Sequence, residues 1–242
     1  MRAPFIAVSP ILTEIQAAYG LSNVSASLLT TLPVLCFGIL ALLTPRLARR
    51  YGTDRTMLVA LVFIAVGVLV RSYFGAGGLF TGTVVLGTAI AIANVLLPGL
   101  IKRDWSHRAG PLMSVYSVSV ALGPAVAALL AVPLLEVLGG NVRLALLAWI
   151  ASPLAAVFMF QLLRSRMPRA AASGVGPVSG APAAGQLLKE PLAWQVSAFL
   201  GLQSLIFYAV SAWLPTLLVQ LGLTPVAAGV GFSAFNIASI AG

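Results

Sequence analysis

Long apolar runs alternate with short polar breaks along the whole chain, and the runs set its elements. Each run approaches the roughly 20 residues that a helix needs to cross about 30 Å of hydrocarbon. The pattern predicts spans near 1–18, 24–45, 56–74, 79–101, 111–135, 143–163 and 192–219, with a further one from 226. The breaks are chemically plain: Tyr19-Gly20-Leu21-Ser22, Arg46 to Arg55, Gly75 to Gly78, Lys102 to Arg108, and Gly139-Gly140-Asn141.

The first run returns later in the chain. PFIAVSPILTEIQAAYGLSNVSA, from Pro4, lies over IFYAVSAWLPTLLVQLGLTPVAA, from Ile206, at a shift of 202. Phe5/Phe207, Ala7/Ala209, Val8/Val210, Ser9/Ser211, Leu12/Leu214, Gly20/Gly222, Leu21/Leu223, Val24/Val226 and Ala26/Ala228 are identical pairs. Copies running in the same direction, six spans apart, point to a protein of two parallel halves with a site between them.

Composition sharpens that picture. At 60% hydrophobic and 8% charged residues, with a mean hydropathy of +1.05, the chain is far more apolar than a soluble domain. A net charge of +9 invites a nucleic-acid reading, but the cations sit in short breaks rather than on one face. The breaks after spans two, four and six hold Arg46, Arg49, Arg50 and Arg55; Lys102, Arg103 and Arg108; and Arg164, Arg166, Arg169 and Lys189. Opposite them stand only Arg71 and Arg143. The positive-inside rule therefore puts those three breaks and the N-terminus in the cytoplasm of a cell whose inner membrane holds the protein.

Residues 164–190 are rich in Ala, Gly, Pro and Ser and read as a cytoplasmic linker. They divide a six-helix N-terminal half, 1–163, from the start of a C-terminal half, 191–242, which supplies helix seven and part of helix eight. Met1 directly before Arg2, and Gly242 inside the last run, lead to the expectation that the sequence is a piece of a longer reading frame.

The order of spans, the parallel repeat, the basic loop after span two and the long loop after span six resemble the major facilitator superfamily. RAPFIAVSPILTEI, TTLPVLCFGILALLTPRLARRYG and AIANVLLPGLIKRDW resemble its branch of cyanate and 2-nitroimidazole transporters. The resemblance covers essentially the whole chain. It implies an all-α polytopic membrane protein of the major facilitator fold, moving a small polar or anionic solute by alternating access.

The superfamily's loop motif, as the resemblance implies it, falls on Pro45, Arg49, Arg50, Tyr51 and Gly52, with Arg46 beside it. Its acidic position is basic here, which departs from a carboxylate latch at that point, and Arg46, Arg49 and Arg50 read rather as topology determinants and lipid-headgroup contacts than as a gating motif. In span five, Gly110, Ser119, Gly123-Pro124 and Ala127-Ala128 follow the spacing of a glycine-rich antiporter motif, which plain close packing also explains.

Polar residues inside the spans are the candidate solute contacts, because each costs insertion energy. Arg2, Ser9, Thr13 and Gln16 share one face of an ideal helix, and Ser204, Tyr208 and Ser211 form the matching stripe in the repeat. Gly87, Ala91, Asn94 and Pro98 share a face of span four. Spans one, four and seven line the cavity in the family this resembles, so Arg2, Ser9, Asn94, Tyr116, Tyr208 and Ser211 are the solute-site candidates. Trp213 suits either stacking or an interfacial belt. Protons are a candidate coupling ion, although Glu14, Glu136, Glu190, Asp54 and Asp104 all fall at span ends or in loops.

An enzyme reading finds no support, since His107 has no cysteine or carboxylate at ligand spacing and no phosphate loop or nucleophile elbow occurs. Cys36 stands alone, without a disulfide or metal partner, and no cofactor is expected. The competing class is a membrane sensor or assembly partner, which would keep a packed interior.

Overall fold

The computed structural model describes residues 3–166 and 190–238, and the regular secondary structure of these residues is helical, joined by short turns. The elements are α1 (Ala3–Ile6), α2 (Leu12–Tyr19), α3 (Asn23–Tyr51), α4 (Thr53–Tyr73), α5 (Gly75–Asp104), α6 (Ala109–Val137), α7 (Val142–Ala148), α8 (Ala151–Arg166), α9 (Pro191–Gln220) and α10 (Pro225–Ala238). Among the described residues, six stretches are long and apolar enough to cross a membrane: Asn23–Ala41, Thr53–Tyr73, Gly75–Asp104, Ser106–Val137, Val142–Arg166 and Trp194–Gln220. The chain is a multi-pass membrane protein.

Two expected spans are interrupted, and prolines explain both. The first run breaks into α1, a 3₁₀ turn at Ser9–Ile11 and α2. Pro10 lacks an N–H and its ring crowds the carbonyl four residues back, so a continuous helix from 1 to 18 fails there. The run 143–163 divides at Trp149-Ile150, where Pro153 cannot serve the Trp149 carbonyl. The backbone N–H and hydroxyl of Ser152 both donate to that carbonyl instead, at 3.2 and 3.0 Å.

The repeat extends to individual hydrogen bonds. Gly20 and Gly222 both take positive φ, at 63° and 92°, and end α2 and α9. Leu21 N–H donates to the Gln16 carbonyl at 3.0 Å, and Leu223 N–H to the Leu218 carbonyl at 3.1 Å. The next helices then start alike: Ser22 Oγ accepts from Ser25 N–H and Thr224 Oγ1 from Ala227 N–H, each at 3.2 Å. Every one of these partners maps onto its counterpart at the shift of 202.

Helices attract one another weakly in lipid unless small residues let their backbones close up. The α4–α5 seam does so: a Cβ on Gly82 would lie 2.4 Å from the Arg71 nitrogen, and one on Gly67 would lie 2.8 Å from the Leu86 nitrogen. Between α6 and α10, Gly229 meets the Ala128 carbonyl and Ser233 Oγ donates to the Ala125 carbonyl at 2.7 Å. Ala127 and Ala128 of the antiporter-like motif are thus buried packing residues, whereas a Cβ on Gly110 or Gly123 would meet open space. Ser119 Oγ donates to the Val115 carbonyl of its own helix.

Candidate functional site

Proline also shapes the contact between the repeat-related segments. Pro215 in α9 leaves the Ser211 carbonyl without its helical N–H. Ser9 Oγ, projecting from the broken first run, donates to that carbonyl at 3.0 Å and to the Ala212 carbonyl at 3.1 Å. The two serines matched in the repeat therefore meet directly and are both buried. Just below them Phe5, Phe37 and Tyr208 form an aromatic cluster, with ring centroids 5.9 to 6.5 Å apart.

Beside this contact opens a cavity of about 650 Å³ between α3, α5 and α9. Its polar groups come from Ser27, Thr30 and Thr31 of α3, Asn94 of α5, and Ser204 and Tyr208 of α9. Phe37, Trp213 and small aliphatic residues supply the apolar wall. Pro98 lies one turn beyond Asn94 and deprives the Asn94 carbonyl of its helical donor, so this turn of α5 offers a main-chain acceptor as well as an amide side chain. No Asp, Glu, Lys or Arg lines the cavity among the described residues. Such a chamber can take a small planar solute between aromatic faces and fix it with neutral donors and acceptors.

Of the sequence candidates, Asn94 and Tyr208 line this cavity; Ser9, Ser211 and Tyr116 are not in its lining, Ser9 Oγ donating to the Ser211 carbonyl while the buried Ser211 hydroxyl has no hydrogen-bond partner. Arg2 falls outside the described residues. Thr13 and Gln16 do not extend the Ser9 stripe, because the Pro10 break turns them out; they bond Glu14 and Asn23. Sequence reasoning missed Ser27, Thr30 and Thr31, whose spacing of three and four residues puts them on one face of α3. Two of these hydroxyls also bond the Ser27 carbonyl, as helix-bound hydroxyls do.

At the Arg-rich end of the bundle Arg46, Arg49 and Arg50 are exposed, with the Arg50 guanidinium 5.4 Å above the Tyr51 ring. Gly52, at φ 85°, alone separates α3 from α4. The ion network lies elsewhere. Arg103 bonds Asp54 at 2.8 Å and Asp104 at 2.7 Å, and Arg164 contacts the same two carboxylates, the Asp104 contact at 2.9 Å. The acids are in the first turn of α4 and at the last residue of α5, so four charges join the ends of α4, α5 and α8.

Comparison with known sequences agrees with this architecture. Residues 3–242 match the family profile described as Major Facilitator Superfamily. The 2-nitroimidazole transporter of Escherichia coli K12 is 38% identical over 95% of this chain and 57% of its own length. An uncharacterized Bacillus subtilis 168 transporter, YycB, is 34% identical over 99% of this chain and 58% of its own. The Escherichia coli K12 cyanate transport protein CynX is 28% identical over 100% of this chain and 62% of its own. The chain thus spans about three fifths of the length of these relatives.

Proposed function

Because the chain belongs to the major facilitator superfamily, we propose that it is the six-helix half, the linker and the opening helices of a secondary transporter for a small polar solute. The cavity between α3, α5 and α9 carries this reading, since it presents neutral polar groups on an aromatic wall and is bordered by the helix that holds the second copy of the repeat. Two halves rocking about that contact would expose the cavity alternately to each side. An open polar chamber supports transport over the sensor reading, which calls for a packed interior.

The lining favours a compact, flat solute that is neutral or weakly charged, and a 2-nitroimidazole-type heteroaromatic fits it better than a strongly hydrated ion. Cyanate-like anions need a cation, which in this proposal is Arg2. The protein is assigned to the cytoplasmic membrane with the Arg-rich loops and N-terminus inside, and protons are its candidate coupling ion.

The test is direct. The chain in nanodiscs should bind 2-nitroimidazole saturably, with quenching of Trp213 fluorescence that is lost in Trp213→Phe while binding itself persists. Proteoliposomes of a full-length version should take up the solute, faster with an imposed pH gradient if protons couple. Absence of both binding and uptake would sink the proposal. Orientation is read separately: in a Cys36→Ala background an impermeant thiol reagent should label a cysteine at Gly140 but not one at Ser106 in intact cells.

A further inference from the structure

Ser27, Thr30 and Thr31 line the central cavity, yet their hydroxyl protons are already committed. Ser27 Oγ donates to the Asn23 carbonyl, and Thr30 Oγ1 and Thr31 Oγ1 both donate to the Ser27 carbonyl, each at 2.9 Å. A hydroxyl has one proton and two lone pairs, so these three side chains still offer acceptors alone. Turning a proton toward a solute would give up a well-formed bond within the helix. Spacing of three and four residues holds the three oxygens on one face of α3.

This tier of acceptors has a defined place along the cavity. α3 runs toward the Arg-rich end, and Phe37, about two turns past Thr30, is held against the Tyr208 ring of α9 with centroids 5.9 Å apart. Gly87 of α5 lies against Pro33 of α3, so Asn94, about two turns beyond Gly87, falls past that ring pair. As the sixth of alternating spans, α9 runs the opposite way to α3, which puts Ser204 beyond the rings as well and Trp213 on the hydroxyl side. The cavity thus has hydroxyl acceptors on one side of an aromatic pair and, on the other, an amide that donates as well as accepts. A flat heterocycle resting on the rings presents one edge to each.

We propose that Ser27, Thr30 and Thr31 set the specificity of this cavity by accepting a hydrogen bond from a ring N–H of the solute, whose electron-rich end faces the Asn94 amide. The inference rests on the transporter reading above and narrows it from flat polar solutes to those that carry an N–H donor. An electron-withdrawing substituent such as a nitro group suits both ends, because it strengthens the ring N–H as a donor and supplies the acceptor for Asn94. A site built to bond an N–H rejects an analogue without one, since its own polar groups are then left unpaired.

The chain in nanodiscs is dialysed to equilibrium against 2-nitroimidazole or its N-methyl derivative, in mildly acidic buffer that keeps the ring N–H, and bound solute is read by absorbance. 2-Nitroimidazole should bind about tenfold or more tightly than the derivative. Ser27→Ala, Thr30→Val and Thr31→Val combined, which nearly keep side-chain size and remove the lone pairs, should lower 2-nitroimidazole affinity to that of the derivative and leave the derivative's own affinity unchanged. Should the triple variant fail to insert, Thr30→Val and Thr31→Val carry the same comparison singly. Equal affinity of the wild type for the two ligands overturns the proposal and leaves the transporter reading standing. Discrimination that survives loss of the hydroxyls also overturns it, because the N–H is then read elsewhere or the methyl group is excluded by its bulk. Absence of binding by either ligand sinks the transporter reading and this inference with it.

Discussion

The α4–α5 pair and α9 are comparably long and apolar, yet 56% of the apolar window of α4 is buried against 11% of that of α9. Hydrophobicity cannot account for the difference, because lipid tails solvate leucine as well as a neighbouring helix does. Geometry at the seam accounts for the burial of α4, whereas α9 has fewer helices to pack against in a chain that spans about three fifths of its relatives' length. Gly67, Gly78 and Gly82 bring two backbones into contact along α4–α5, whereas α9 meets the preceding helices through one serine contact and an aromatic cluster, and encloses a cavity for part of its length. A seam in which backbones touch leaves no room for one helix to shift without the other, so α4 and α5 form one unit.

The sharpest break of this comparison is Gly82→Val. The first added carbon alone overlaps the Arg71 nitrogen and the Gly67 carbonyl, so destabilisation of about 3 kcal/mol or more is expected, read as earlier unfolding in an SDS-dodecylmaltoside titration. Wild-type unfolding would show that the seam is not tight. Next comes the cavity, where Asn94→Leu should weaken 2-nitroimidazole binding about tenfold or more by removing a hydrogen-bonding amide from a largely apolar chamber. Unchanged affinity in the same quenching assay would remove Asn94 from the site.

A smaller effect probes the α9 contact itself. Ser9→Ala should cost about 1 kcal/mol. Pro215→Ala restores a helical N–H to the Ser211 carbonyl, so the double variant should lose less than Ser9→Ala alone. Strict additivity in that cycle would mean the serine and the proline do not share the carbonyl. Smallest is Gly201→Ala in α9, where the added carbon meets nothing within 4 Å; a change within about 0.5 kcal/mol is expected, in either direction. A loss comparable to that of Gly82→Val would erase the contrast between the two regions.

Much of this was legible in the chain. Apolar run length gave six of the eight expected spans among the described residues, and the repeat gave the paired Gly-Leu turns and the Ser9/Ser211 equivalence, because ungapped similarity preserves local hydrogen bonding. Asn94 was visible as an expensive polar residue at mid-span. The Pro10 break was also written in the sequence, but an ideal-helix face carried Thr13 and Gln16 along with Ser9. Other features depend on distant packing. Asp54 and Arg164 are 110 positions apart, and only the convergence of α4, α5 and α8 joins them. Arg71 reads as one of two stray cations near a break, and neither its burial nor the approach of Gly82 to its backbone is encoded in run length and periodicity. Ser27, Thr30 and Thr31 sit just past a helix start, where hydroxyls usually serve the helix itself.

The bond from Ser9 to the Ser211 carbonyl has a mechanical consequence. When two bodies tilt against each other, each point moves in proportion to its distance from the pivot, and a hydrogen bond tolerates only a few tenths of an ångström before it weakens. A direct bond between the moving parts can last through a full stroke only at the fulcrum. Were two halves to rock as proposed above, Ser9 and Ser211, matched by the repeat and bonded across their contact, would lie where the fulcrum falls, so cross-linking that point should leave uptake intact while a link at either rim should block it.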